Sequence, residues 1–310
     1  MIFALDERGW EIGTRAAGAW IEALEVILDL VDDLSERGHS LAYTESIFLK
    51  PIASTKTFYD LYAPDSPIEI SAELRVRIAV IFSRAAKLED VFASGEDSSI
   101  EIESSGLEQA ETIAWAAARY LHDQSHITPC ISNVSTGLHS VNYQGETVPI
   151  WMVNSPRQVE HFFRWLIVAT TRDPSQMEAL SSEAFRQLAF VGGSIDGIKK
   201  MTGSYISLIG KIVHDLAFLS DNGSHIFAGS WQDAPSQFVA GNVVISDENG
   251  NTKQNRIAKR ERKIAYAGAD LFFWWHIKIE PHQNRIHICP DKVRGGGQIV
   301  VGIFCHHLTT

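Results

Sequence analysis

The sequence predicts an α+β protein, with a mainly helical N-terminal body and a C-terminal antiparallel β-sheet. Three observations carry this reading. Several stretches of the first two thirds place apolar residues at helical spacing. The segment Phe272–Cys289 alternates bulky and polar residues on either side of one turn. Charge divides along the same line. Residues 251–310 hold ten Lys or Arg against four Asp or Glu, a net of +6, while the other 250 residues hold 17 against 34, a net of −17.

A chain of 310 residues that is 45% hydrophobic and 21% charged can bury a sizeable core. Its net charge of −11 excludes a polycation that coats nucleic acid over its whole surface. The opening "MIFALDERGWEIG" has charges inside its only apolar run and does not read as a signal peptide. No stretch approaches the ~20 apolar residues of a membrane span. Cys130, Cys289 and Cys305 are odd in number and lack metal-like spacing, which fits a reducing cytoplasm.

In chain order, residues 1–94 read as a helical N-terminal region. "TRAAGAWIEALEVILDLVDDLSERG" is amphipathic through Trp20, Leu24, Ile27, Leu28, Val31 and Leu34, with Gly38 placed to end it. A second helix follows Ser71, with Leu74, Ile78, Ile81, Phe82 and Ala85 on one stripe. Residues 95–106, within the acidic "SGEDSSIEIESSG", read as a linker. Residues 107–220 read as a helical middle region with a hairpin near 141–153, turning at Gln144-Gly145. Two helices there have start signals, Ser155-Pro156 and Asp173-Pro174, each with Gln following. A longer helix is expected over Ile195–Leu219. Residues 221–310 read as a basic β-sheet region, introduced over Asp221–Gly250 by a polar, turn-rich stretch that reads as a long loop or an irregular strand pair.

The candidate site lies in that last region. Pleat and register put Phe273, Trp275, Ile277 and Ile279 on one face of the first strand. His276 and Lys278 fall on the other, joined across the turn by Arg285 and His287. "QIVVGIFCHHL" is the third strand, and Gly302 leaves a bare position where a ligand or a backbone comes close. Histidine suits proton transfer near neutrality, Arg holds phosphate through two bonds, and Lys adds a point charge. His306, or its neighbour His307, can join them from the chain end. The run "NRIAKRERK" offers Lys259, Arg260, Arg262 and Lys263 to a phosphate backbone or to solvent, and Trp274 can stack on a base. A zinc site from His276, His287, Cys289 and His306 has the right ligand types but no recognisable spacing, so no metal or other cofactor is assigned. The basic end can equally dock on the protein's own acidic part.

The order of helices, then "HIKIEPHQNRIHI", a glycine-containing turn and "QIVVGIFCHHL" resembles the RelE/HigB-like ribonuclease toxins over about the last 60 residues. The resemblance implies a RelE-like meander, with Lys278, Arg285 and His306 at basic catalytic or RNA-contacting positions and His287 on a strand beside them. It implies metal-independent acid–base cleavage of RNA by a bacterial toxin or phage-defence effector, whose helical body serves as an antitoxin-like restraint, a sensor, or a ribosome- or partner-docking unit, and whose partner is another protein or an antitoxin. The residues alone leave two alternatives open. One is a non-catalytic module that binds nucleic acid or protein. The other is a sensor of a small anionic ligand.

Overall fold

The structure is a computed structural model that describes residues 1–11, 17–53, 56–63, 69–91, 99–103, 106–124 and 126–310. The chain divides into two compact units, Met1–Phe162 and Phe163–Thr310. Both helices and sheets are present, so the protein is mixed α+β. Among the described residues, no helix is long and apolar enough to cross a membrane.

The first unit contains β1 (Ile2–Leu5), α1 (Ala17–Glu36), β2 (Ser40–Tyr43) and a short hairpin of β3 (Pro51–Ala53) and β4 (Lys56–Thr57). There follow α2 (Ala72–Arg84), β5 (Ala86–Lys87), α3 (Leu88–Val91), β6 (Ser99–Ile102), β7 (Gly106–Gln109) and α4 (Glu111–His122). It ends with β8 (Cys130–Ile131), β9 (Gly137–Tyr143) and β10 (Glu146–Val153). Eight of these strands form one sheet in the order β5-β2-β1-β8-β10-β9-β6-β7, parallel from β5 to β10 and antiparallel beyond.

This sheet departs from the expected helical body. Its parallel strands are two to eight residues long, and β1 is buried throughout Phe3–Leu5. A strand covered on both faces shows no alternation, and two to four residues are too few to display a period. Of the expected linker, residues 95–98 and 104–105 lie outside the described residues, while Ser99–Ile102 and Gly106–Gln109 pair as strands.

Several local expectations hold. Helix α1 buries Trp20, Leu24, Ile27, Leu28, Val31 and Leu34. Gly38, at φ +78°, ends it with bonds from its own N–H to Ser35 O and from His39 N–H to Leu34 O, which is a Schellman closure. Gln144 and Gly145 both have positive φ and join β9 to β10 in a two-residue turn.

The division between the units falls within α5 (Pro156–Thr170). The second unit continues with α6 (Pro174–Ala184), β11 (Leu188–Phe190), α7 (Tyr205–Ala228), α8 (Ala234–Val239), β12 (Ile245–Asp247), α9 (Gly250–Gln254) and α10 (Arg256–Glu261). It ends with the hairpin β13 (Lys263–Tyr266) and β14 (Ala269–Phe272), then β15 (Trp275–Glu280), β16 (Gln283–Cys289) and β17 (Ile299–Cys305). Asp173 caps α6 as its sequence requires, accepting from Ser175 N and Gln176 N. Helix α7 starts later than expected, capped by Ser204, and runs through Asp221–Ala228, which the sequence assigns to a loop or an irregular strand pair. Gly223 does not break it. A Cβ there would sit 2.7 Å from Ile299 Cδ1, so the glycine marks a close approach to β17.

The sheet of this unit has the order β11-β17-β16-β15-β12. Strand β11 is parallel to β17, and the other pairs are antiparallel. Trp275, Ile277, Ile286 and Ile288 are buried. Helix α7 lies against this apolar side, with the Phe227 ring centroid 5.1 Å from that of Trp275.

Candidate functional site

The register of β15 and β16 sets His276 opposite His287 and Lys278 opposite Arg285. The four residues share one face of the hairpin, as the alternation predicts. They line a single cavity of about 270 Å³, closed by Ser246–Asn249 at the end of β12 and just beyond it, by Arg262, and by the chain end at His307, Leu308 and Thr310. A second cavity of about 430 Å³ is lined by Lys211, Asn242, Val244 and the turn Glu280–His282. Lys278 and Arg285 line both cavities.

Arg285 is held in place by one nitrogen. Its Nη1 donates to the carbonyls of Glu280, Gln283 and Asn284 at 3.0, 2.6 and 3.2 Å. Its remaining nitrogens, and the Lys278 ammonium, have no hydrogen-bond or ion-pair partner among the described residues. Unpaired cationic donors of this kind can hold an anion, and a guanidinium does so through two parallel bonds.

The histidines sit deeper. His276 is 9% exposed and His287 1%, and their ring centroids are 5.2 Å apart. His287 Nδ1 lies 3.1 Å from Phe273 O, and a carbonyl only accepts, so this nitrogen carries the proton and Nε2 presents a lone pair. His276 Nε2 pairs with Ser246 Oγ at 3.0 Å. His276 Nδ1 and His287 Nε2 are both buried without a hydrogen-bond partner among the described residues. Burial, then the charges of Arg285, Lys278 and Arg262, pushes His276 down to about 4. Burial, then His276 and Arg262, holds His287 well below the ordinary imidazole value. Both rings are neutral at pH 7.

Glu248 completes the floor. Its Oε1 lies 3.5 Å from His276 Nδ1 and accepts from Arg262 Nη2 at 2.7 Å. Ligand atoms of Glu248, His276 and His287 all lie within 4.8 Å of one another. The sequence does not single out Glu248. It comes from a loop 28 residues before His276 in a segment read as irregular, and no local spacing announces it.

Other sequence candidates are placed differently. His306 does not line the cavity; its Nδ1 pairs with Thr202 Oγ1 at 3.0 Å, and the adjacent His307 lines it instead. Arg262, expected on a phosphate strip, is 1% exposed. It ties Glu248 to Ala258 O and Thr309 O and so builds the cavity wall. Lys263 pairs with Asp270, and Lys259 lies 5.3 Å over the Phe272 ring. Arg260 stays exposed. Trp274 is half-buried outside the cavity, stacked parallel on Phe272 at 5.7 Å. Gly302 does leave a bare position, but the Phe273 ring takes it, where a Cβ would meet Phe273 Cε1 at 2.2 Å. Cys289 packs with Leu271, Phe273 and Val300 in an apolar cluster, and burial pushes its thiol up to about 11.

No family model matches the chain, and no curated protein or solved structure matches it either.

Proposed function

We propose that the second unit is a RelE-like ribonuclease domain, with β15, β16 and β17 as its meander, that binds RNA across the two cavities at Lys278 and Arg285 and cleaves it there. The observation that carries this reading is the pair of cations with unpaired donors on the wall of both cavities. A phosphate seated on them would leave nucleotides on either side with room to lie. The stacked Phe272 and Trp274 lie directly before β15, and half-buried aromatic faces of this kind support a base.

In this reading Arg285 and Lys278 hold the phosphate and stabilise the charge of the crowded phosphorane. His307, at the cavity rim, takes the proton of the ribose 2′-hydroxyl as that oxygen attacks phosphorus. The bond to the 5′-oxygen breaks, and the Lys278 ammonium protonates the departing oxygen. His276 and His287 stand at the floor, with their unpartnered nitrogens screened from solvent. The sequence gives them direct proton transfer; here they shape the floor. A cytoplasmic bacterial toxin or phage-defence effector, restrained by a protein partner, is the setting this function implies.

The test is cleavage of single-stranded RNA by the purified full chain. His307→Ala is expected to lower the rate by ~10²–10⁴-fold with RNA affinity retained, while His306→Ala leaves the rate within about threefold. Arg285→Ala is expected to lower both rate and affinity. If the wild-type chain binds RNA but cleaves none at any pH between 5 and 9, the catalytic reading fails and the groove is a binding surface. If His307→Ala cleaves at the wild-type rate, His307 is not the base.

A further inference from the structure

The cavity floor contains two features that RNA cleavage does not use. His276 Nδ1 and His287 Nε2 are buried polar atoms with no hydrogen-bond partner among the described residues, and each such atom left unsatisfied costs about 1–3 kcal/mol. A ring nitrogen of each histidine and a carboxylate oxygen of Glu248, from three separate stretches of chain, lie within 4.8 Å of one another. We propose that Glu248, His276 and His287 form a binding site for one divalent transition-metal ion of the zinc class. This goes beyond the ribonuclease reading and does not rest on it.

The tautomers fit. His287 Nδ1 donates to Phe273 O, which leaves Nε2 with a free lone pair. When His276 Nε2 donates to Ser246 Oγ, Nδ1 is bare as well. Metal-bound histidines are held this way, with the second ring nitrogen donating to a carbonyl, a hydroxyl or a carboxylate. Glu248 is oriented by Arg262, whose Nε and Nη2 both donate to Oε1, the oxygen nearest His276 Nδ1, so an ion here shares that oxygen with the guanidinium or takes Oε2. Each of the three candidate ligands therefore already has an outer partner.

The spacing fits with a small closure. Ligands about 2.0–2.1 Å from a tetrahedral ion stand about 3.3 Å apart. Here His276 Nδ1 and Glu248 Oε1 are 3.5 Å apart, and all three ligand atoms lie within 4.8 Å. Three ligands leave a fourth position for water or an anion from the cavity. The donor set selects the ion. Two imidazoles and one carboxylate suit zinc and its neighbours, whereas magnesium and calcium take oxygen ligands. Charge alone does not draw a cation here, because Arg262 shares Glu248, and Lys278 and Arg285 line the same cavity. The imidazole lone pairs provide the attraction.

This replaces the zinc set that the sequence permits. Cys289 lies in the apolar cluster and His306 on Thr202, so only its two strand histidines remain.

The experiment uses the full chain, treated with chelator and then titrated with zinc, cobalt or magnesium. Binding is read by calorimetry, thermal shift and the visible absorption of cobalt. One zinc per chain is expected, with a rise in Tm, since a ligand of the folded state stabilises it. Cobalt should give visible bands of a low-symmetry four-coordinate site, and magnesium should give neither signal. His276→Asn combined with His287→Gln is expected to abolish both signals, and His306→Ala with His307→Ala to leave them unchanged. The double floor variant can misfold. Ser246→Ala therefore serves as the milder test: it keeps all three ligands, removes one outer partner, and is expected to weaken zinc binding by about 10–100-fold.

The proposal is overturned if the wild-type chain takes up no zinc. It is also overturned if a folded floor variant binds zinc as tightly as wild type, or if Ser246→Ala binds it with unchanged affinity. RNA cleavage is measured on the same samples. Zinc bound without any cleavage overturns the ribonuclease reading and leaves the metal site standing. Cleavage without zinc uptake does the reverse.

Discussion

Acid should weaken the second unit earlier than its carboxylates alone would require. The perturbation is a fall from pH 7 to pH 5 in the chelator-treated, metal-free chain, compared between wild type and His276→Asn. An imidazole at 6.5 in the unfolded chain and about 4 when folded disfavours the folded state by about 3 kcal/mol once both forms are protonated. The sign follows from proton counts. Above 6.5 neither form binds the proton, and the folded state is fully stable with respect to this group. As the pH falls, the unfolded chain takes up a proton that the folded chain refuses, and stability is lost until the folded ring protonates near 4. Between pH 7 and 5 this loss is about 2 kcal/mol. His287, also held below its ordinary value, adds in the same direction. With a urea dependence of about 1–3 kcal/mol per molar, the midpoint should fall by about 1 M. Trp231 and Trp275 stand in this unit with rings 6.2 Å apart and report its unfolding by fluorescence. His276→Asn should start less stable at pH 7 and lose about 2 kcal/mol less on going to pH 5. If variant and wild type lose the same stability between these pH values, His276 titrates normally and its burial has been misread.

Two further outcomes are expected. Arg262→Ala removes one partner of a buried ion pair, leaves Glu248 uncompensated and should cost about 3–5 kcal/mol; Lys263→Ala, at an exposed pair with Asp270, should cost under about 1 kcal/mol. Thermal melts separate the two, and equal effects would mean that Arg262 is not structural. RNA affinity should fall with salt, and Lys278→Ala should reduce that slope by about 0.7, the value for one single-strand phosphate. A binding series in which Lys278→Ala leaves the slope unchanged removes this residue from the phosphate contact.

The sequence is most informative where an element is long and amphipathic or half-exposed. Alternation alone gives the shared face of His276, Lys278, Arg285 and His287, and the caps of α6 are readable from Asp173-Pro174-Ser175-Gln176. It is least informative where strands are short and covered. Cys130–Ile131 bridges β1 and β10 in the first sheet, yet two residues carry no period. The site shows the same limit. The histidines are visible because they sit in a strand pattern. Glu248 and Ser246 reach the site only through folding of β12 beside β15. His306 and His307 are adjacent, and nothing in their order says which one turns toward the cavity.

The charge division has a physical explanation once partners are assigned. Of the ten Lys and Arg in residues 251–310, Lys253 pairs with Asp247, Arg262 with Glu248 and Lys263 with Asp270. Lys259, Lys292 and Arg294 lie over the rings of Phe272, Tyr266 and Trp231, and Arg285 is held by three carbonyls. Most of the basic end is therefore engaged inside its own unit. It is not a uniform phosphate strip. Arg256, Arg260 and Lys278 remain without hydrogen-bond, ion-pair or ring partners among the described residues, and of these Lys278 lines the two cavities at the sheet. A chain of net charge −11 repels RNA at long range, so attraction to these cavities has to be short-range. Cations recessed in a cavity and placed beside a guanidinium with open donors provide that kind of attraction. An anion that enters gains direct bonds, and one that stays outside meets the repulsion. This favours a ligand held at one phosphate over a ligand spread along the surface.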